Sequence, residues 1–235
     1  PPRSTLGVSS AASDVYKRQY QYTYLNTFNG KIENRYKKFE NDYWGASIKE
    51  LIQKINLDKE KTIQKVVALI EETAGSGARL VVFPETFIPG YPDWIWRLRP
   101  ANDEKLTEEI HALLLSNSIN LKTGGLISIC NSAKKHEVTV VCNVNERDFE
   151  HSQTTIYNTK VIIGEKGKIL NRHRKLMPTN PERMVHGFGD ASGLKVVDTS
   201  CGQIGGLICW ENYMPLARYS LYAQGVEIYI APTWD

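Results

Sequence analysis

From Leu57 onward, apolar positions fall into short clusters whose spacing alternates between helical and strand-like. "DKEKTIQKVVALIEETAGSGA" puts Ile63, Val66, Val67, Leu69 and Ile70 near the period of an amphipathic helix, and Gly75 and Gly77 supply its stop. "RLVVFPE" is then a short β-branched run closed by Pro84, as expected of a buried strand. "LISICNSAKKHE" predicts a second amphipathic helix and "VTVVCNVNER" a strand after it. "TTIYNTKVIIGEKGKILNRHRK" predicts two strands around a "GEKG" turn, and "LKVVDTSCGQIGGLICW" another pair around Cys201 and Gly202. "NYMPLARYSLYAQG" completes the pattern as a helix, with "VEIYIAPT" as a final strand. Helices alternating with apolar strands, with hairpins adding antiparallel pairing, predict a layered α/β fold with a mixed sheet.

The first residues lack such periodicity. "PPRSTLGVSSAASDVYKRQYQYTY" has no sustained helix or strand pattern, and "VSSAASDVYKRQ" resembles translated adaptor sequence. Residues 1–19 are therefore expected to be a non-native leader, 20–56 an N-terminal segment without assigned elements, and 57–235 the folded domain.

Composition changes this picture little. The 235 residues are 41% hydrophobic and 23% charged, ordinary for a globular domain. A net charge of +3, with basic and acidic residues interspersed, argues against a nucleic-acid partner. The longest apolar runs are strand-sized, which argues against a membrane span. Four cysteines at irregular spacing and five scattered histidines suggest neither a disulfide framework nor a metal site. Reduced thiols and a cytoplasmic location are expected.

Three reactive side chains fall just past apolar strands, where open α/β sheets build their ligand crevices. Glu85 ends "LVVFPE", Lys175 ends "ILNRHRK", and Cys209 ends "IGGLIC". A thiol needs a base or a positive field to attack near neutrality, and a carboxylate and an ammonium can supply both. The lysine would also stabilise negative charge on the atom attacked, and backbone N–H groups of the helix expected after Cys209 would add to it. Each residue alone has a plainer reading: Cys209 as a buried thiol, Lys175 as part of a solvated basic rim, Glu85 as a cap. Cys130 and Cys142 read as core, and Cys201 as incidental to a turn.

The blocks "LVVFPETFIPGYPDW", "NRHRKLMPTNPERMVHGFGD" and "GGLICWENYMPLARYSLYAQGVEIYIAPTWD" closely resemble signature regions of the nitrilase branch of the carbon–nitrogen hydrolase superfamily. The resemblance runs in order and at matching spacing from about Leu57 to Asp235. It implies an α-β-β-α sandwich of mixed sheets with Glu85 as general base, Lys175 as intermediate-stabilising lysine and Cys209 as nucleophile. It further implies Glu182 as an auxiliary active-site carboxylate and the Trp210 backbone N–H as a second charge-stabilising donor. Tyr91, Trp94 and His186 become candidates for the substrate pocket, with Trp96 at an aromatic-lined entrance. The implied reaction converts an organic nitrile to a carboxylic acid and ammonia through a cysteine thioimidate and thioester, with no cofactor and no metal. The implied assembly is a homo-oligomer, a dimer or a larger spiral. An amidase of the same superfamily is the alternative enzyme, and an inactive or interaction-only fragment the alternative from another class.

Some positions depart from the family's pattern. His186 stands where Trp is common and Ala191 where Gly is, so either is expected to reshape the pocket. The first strand is not recognisable in "NDYWGASIKELIQKIN", and the family's later strands, helix and tail are expected beyond "APTWD". Their lack is expected to leave a sheet edge and apolar faces uncovered.

Overall fold

The computed structural model describes residues 57–99 and 101–234. The expected leader (1–19) and the segment holding the unrecognised first strand (20–56) lie outside the described residues. Among the described residues, four α-helices and seven strands follow in chain order. Helix α1 spans Lys59–Gly75, with Asp58 accepting from the Lys61 N–H at its start and Ile63, Val66 and Ile70 on its buried stripe. Strand β1 is Leu80–Val82, α2 is Glu104–Asn117, α3 is Ile127–His136 and β2 is Thr139–Arg147. Strands β3 (Ile156–Ile163) and β4 (Ile169–Arg174) form the hairpin expected around "GEKG". Strands β5 (Val197–Thr199) and β6 (Gly202–Gly206), helix α4 (Pro215–Tyr222) and strand β7 (Ile228–Ile230) complete the chain.

The strands form two sheets, one ordered β1-β2-β3-β4 and the other β5-β6-β7. Each is mixed: β1 runs parallel to β2 and β6 parallel to β7, while the other neighbours are antiparallel. Three apolar layers hold them. Helices α1 and α3 pack through Val66, Ile70, Ile129 and Ala133 onto Val140, Cys142, Val144, Val161 and Ile163 of the first sheet. Val141 and Ile162 on that sheet's other face meet Ile204 and Ile230 of the second. Leu207, Ala217 and Leu221 then seat α4 beside Val196, Val226 and Tyr229. Helix, sheet, sheet and helix follow one another, an α-β-β-α sandwich.

Which residues occupy the gap between the sheets follows from register. Val141 pairs with Ile162, Asn143 with Lys160, and Asn145 with Asn158, while Lys160 pairs with His173 on β4. Side chains alternate across a strand, so all of these share the inward face. The inner layer is thus apolar at Val141 and Ile162 and polar toward Asn143, Asn145, Asn158, Lys160 and His173, all buried. Each polar side chain taken out of water there needs a partner. Most find one at the chain segments just past the strand ends.

Two departures from the sequence expectation have local causes. Helix α2 carries only Ile110 and Leu114 as buried positions, a stripe too sparse to read as amphipathic from spacing. The chain after Cys209 does not start a helix directly: it makes a 3-10 turn, Cys209–Tyr213, and α4 begins only at Pro215. Pro at the first helical position fixes that start.

Candidate active site

Glu85 sits three residues past β1, where the Phe83 N–H still bonds the Val141 carbonyl and Asn143 returns a bond to the Phe83 carbonyl at 2.7 Å. Lys175 is one residue past β4, its N–H extending the ladder to the Asn158 carbonyl at 2.8 Å. Cys209 lies three residues past β6 and opens the 3-10 turn. Its N–H bonds the Pro232 carbonyl at 2.9 Å, and its φ of 49° is left-handed. That conformation costs a non-glycine residue about 1–2 kcal/mol and turns the thiol away from the strand direction. Gly206 permits the approach, because a Cβ there would overlap the Ile230 carbonyl oxygen.

The buried ammonium of Lys175 is held between two carboxylates. Its Nζ donates to Glu85 Oε1 at 2.7 Å and to Glu182 Oε2 at 2.8 Å, and all three side chains are at most 2% exposed. Asn158 Nδ2 donates to Glu85 Oε1 at 2.7 Å, and the Trp234 N–H to Glu85 Oε2 at 3.1 Å. Glu182 lies in the 3-10 turn Asn180–Met184 and accepts from the Thr179 N–H at 2.7 Å and the Tyr91 hydroxyl at 2.7 Å. Tyr91 in turn accepts from Trp96 Nε1 at 3.2 Å and stacks on Trp234 with ring centres 4.5 Å apart.

These contacts set the charges. Burial works against the Lys175 ammonium, but the Glu85 and Glu182 charges outweigh it and raise its pKa. Burial likewise works against a charged Glu182, and Lys175 more than reverses that effect, so the carboxyl titrates below its usual range. Cys209 is half-buried and its Sγ accepts from the Thr233 hydroxyl at 3.3 Å. Burial pushes the thiol pKa up and the Glu85 charge adds to the rise, against the pull of Thr233, Lys175 and the Trp210 N–H. The resting thiol therefore keeps its proton near neutrality. Attack then requires a base to take it, and Glu85 is the carboxylate whose charge the thiol senses.

The structure brings Glu85, Lys175 and Glu182 into direct contact and sets Cys209 within the field of Glu85 and Lys175. The N–H that faces the thiol is that of Trp210, in the 3-10 turn rather than in α4, while the Trp210 ring is 62% exposed. Among the pocket candidates, Tyr91 contacts the charged trio directly. Trp94 is buried and lines a cavity of about 160 Å³ with Thr107, Glu108, His111, Met184 and Val185. His186 is buried, its Nε2 bonded to Asn145 Oδ1 at 2.7 Å and its N–H to the Glu182 carbonyl at 2.7 Å. Ala191 is exposed, in the 3-10 turn Ala191–Gly193. Asn158 and Thr233 were not singled out from sequence. A polar residue inside the strand "IYNTKVII" was the available sign for Asn158; Thr233 sits in the quoted "APTWD", and nothing marks it there.

His186 carries a pH dependence. Burial is the main cause that lowers its pKa, to about 4, with the Glu182 charge opposing and Lys175 and His111 adding to the fall. Below the ordinary value of 6.5 the unfolded chain takes a proton that the folded chain refuses, so stability is lost as pH drops from 6.5 toward 4. At 1.36 kcal/mol per pKa unit the loss reaches about 3 kcal/mol. His186→Gln retains an N–H donor for Asn145 and should flatten that part of a plot of urea-unfolding free energy against pH. An unchanged slope in the variant would clear His186 of the effect.

Among the described residues, no cluster of His, Cys, Asp and Glu could hold a metal ion, and no helix is long and apolar enough to cross a membrane. The family model described as carbon-nitrogen hydrolase matches residues 46–235. An arylacetonitrilase of Aspergillus niger is 41% identical over 178 residues, covering 74% of this chain and 49% of that protein. A nitrilase of Bradyrhizobium diazoefficiens is 43% identical, covering 73% and 53%, and a bifunctional nitrilase/nitrile hydratase of Lupinus angustifolius is 42% identical, covering 76% and 50%. The chain thus spans about half the length of the curated relatives it matches. A carbon-nitrogen hydrolase structure from Helicobacter pylori shares the fold at a TM-score of 0.54 and 24% identity, covering 75% of this chain and 56% of that one. An amidase from Nesterenkonia sp. AN1 shares it at 0.56 and 16%, covering 75% and 62%.

Proposed function

The chain belongs to the carbon–nitrogen hydrolase family, and from that premise we propose that it carries the catalytic residues of a nitrilase. The observation that bears most weight is the buried Lys175 ammonium clamped between Glu85 and Glu182 beside a half-buried thiol. A surface cation would not be desolvated in this way without cost, so two carboxylates and a lysine in one dry cluster are an arrangement expected of a reactive site.

In this reading Glu85 takes the Cys209 proton as sulfur attacks the nitrile carbon. The C≡N bond loses one π pair to nitrogen, and the proton follows it to give a neutral thioimidate. Lys175 and the Trp210 N–H stabilise the developing negative charge. A water activated by Glu85 adds to the thioimidate carbon, and the C–N bond breaks to release ammonia and leave a thioester. A second water, again deprotonated by Glu85, splits the C–S bond to yield the carboxylic acid and return the thiol. One nitrile and two waters thus become one acid and one ammonia, with no electron acceptor required.

Relatives named as bifunctional nitrilase and nitrile hydratase prompt a second arm for the test, because an intermediate that expels sulfur instead of ammonia yields an amide. Ammonia, acid and amide should be quantified from a panel of aliphatic, aromatic and arylacetonitrile substrates and from the matching amides. We expect ammonia and acid in equal amounts from at least one nitrile. Turnover of the amides alone would replace the nitrilase reading with an amidase, and turnover of neither would favour the inactive reading.

A cytoplasmic location is supported by four free cysteines. Assembly into a homo-oligomer is supported by an exposed apolar row, Tyr213, Leu216 and Tyr219, along the turn and face of α4 beside Trp210. No cofactor enters the proposed chemistry.

A further inference from the structure

Lys175 and Cys209 stand on different sheets, and no backbone ladder joins them. Lys175 extends β4 of the four-stranded sheet, while Cys209 follows β6 of the three-stranded sheet. Past both strand ends the Lys175 and Cys209 N–H groups still reach backbone carbonyls, of Asn158 and Pro232, but those of Leu176 and Ile208 beside them do not. Ile208 is wholly buried, so an unmet donor there would be costly. One side chain satisfies both. Glu211 Oε1 accepts from the Leu176 N–H at 2.6 Å, and Oε2 accepts from the Ile208 N–H at 2.7 Å. His173 Nε2 sits 3.1 and 3.0 Å from the two oxygens, and both side chains are fully buried.

Each amide is the immediate neighbour of a residue proposed to react: Leu176 follows Lys175, and Ile208 precedes Cys209. A second link crosses the same gap. Lys160, the register partner of His173 on β3, donates from Nζ to the Gly206 carbonyl at the end of β6. At the opposite end of the inner layer the sheets meet through apolar packing of Val141, Ile162, Ile204 and Ile230 and through hydrogen bonds from the Arg79 guanidinium to the Ser200 carbonyl and from the Cys201 thiol to the Arg79 carbonyl, all far from Lys175 and Cys209 in the chain order of their strands.

We propose that Glu211 is a positioning residue whose carboxylate, spanning Leu176 and Ile208, fixes the Cys209 thiol relative to the Lys175 ammonium. The inference rests on the nitrilase reading for its consequence in turnover, although its geometric content concerns only the thiol and the lysine. Two oxygens are needed because two N–H groups must be met from opposite sides. Gln offers one oxygen and turns an NH2 group toward the other amide. Asp keeps the charge but is one methylene too short to span the gap. His173 supplies a donor to the same carboxylate, which keeps the negative charge from being isolated beside the nucleophile.

Glu211→Gln and Glu211→Asp should each lower kcat about 100-fold with KM changed less than about threefold, the signature of misplaced reacting groups. Independently of any nitrile, alkylation of Cys209 by iodoacetamide, followed by peptide mass spectrometry from pH 6 to 10, should shift to lower pH in both variants, because a displaced thiol loses the raising effect of Glu85 more than the lowering effect of Lys175. A role confined to stability would lower the melting temperature and leave the alkylation profile of the folded protein unchanged, and that result would overturn the proposal. Restoration of kcat by Glu211→Asp would also overturn it, because charge rather than span would then suffice. If the wild type turned over no nitrile while the alkylation shift persisted, the nitrilase reading would fall and the positioning role would stand. Should neither variant fold, amide exchange in the wild type decides: the Leu176 and Ile208 amides should be as protected as that of Val161 in β3, and rapid exchange at either defeats the idea.

Discussion

Cys209→Ala should abolish ammonia release from every nitrile that the wild type hydrolyses, lowering kcat by at least about 10⁴-fold while the fold persists. The expected size follows from covalent catalysis: without sulfur, water would have to attack the nitrile directly, and the Glu85 and Lys175 arrangement can accelerate that route only partly. The fold should persist because the backbone at Cys209, not its thiol, makes the structural bond to Pro232. The thiol is half-buried and its partners are the exposed Thr233 hydroxyl and the Trp210 N–H, so removing it should cost no more than about 1 kcal/mol. None of the other thiols can replace it. Cys142 lies in the core with its pKa pushed up to about 12 by burial, and Cys130 packs against the same core. Cys201 occupies the β5–β6 turn and donates to the Arg79 carbonyl. Ammonia release measured against melting temperature in the same preparation checks both halves. Residual activity above about 1% in a variant of purity verified by mass spectrometry would move the nucleophile elsewhere.

Much of the scaffold was legible because its signals are local. The α1 stripe, the "GEKG" hairpin and the Gly-rich stretch before Cys209 each carry their own periodicity or turn chemistry, and each forms where spacing predicts it. The site is harder to read, because its geometry depends on register between strands distant in sequence. Lys160 illustrates the difficulty: within "IYNTKVII" it resembles the solvent face of a half-buried strand, yet it lies 1% exposed between two sheets, where burial pushes its amine down to about 7. Asn158, two residues earlier on the same face, bonds Glu85. Glu211 was hidden for another reason. Its role depends on where two ladders end, and the chain shows no sign that β6 stops at Gly206 while extended backbone continues to Ile208. Local pattern thus delivers the elements, whereas the polar half of the inner layer emerges only once the sheets are stacked.

Lys175→Met should be the variant that damages activity and stability together, and the pairing of the two effects is its test. The substitution keeps a side chain of similar length but removes the charge held 2.7 Å from Glu85 and 2.8 Å from Glu182. Two buried carboxylates then face one another with no cation between them, and one must take up a proton for the chain to stay folded. Breaking a buried pair by deleting one partner typically costs about 3–5 kcal/mol, so the melting temperature at pH 7.5 should fall sharply. The sign of the pH dependence follows. Because the variant's folded state holds a proton that the unfolded chain lacks at pH 7.5, its deficit relative to wild type should shrink as pH is lowered toward 5. Activity should fall at least about 10³-fold at either pH, since the charge proposed to stabilise the attacked nitrogen is absent. Lys175→Arg is the informative companion: it restores the charge but not the point geometry of an ammonium that two carboxylates share, so it should recover stability more than turnover. If Lys175 were merely part of a basic surface rim, Lys175→Met would change stability by no more than about 0.5 kcal/mol and leave turnover intact. That outcome would remove the central cation on which both the proposed chemistry and the Glu211 clamp depend.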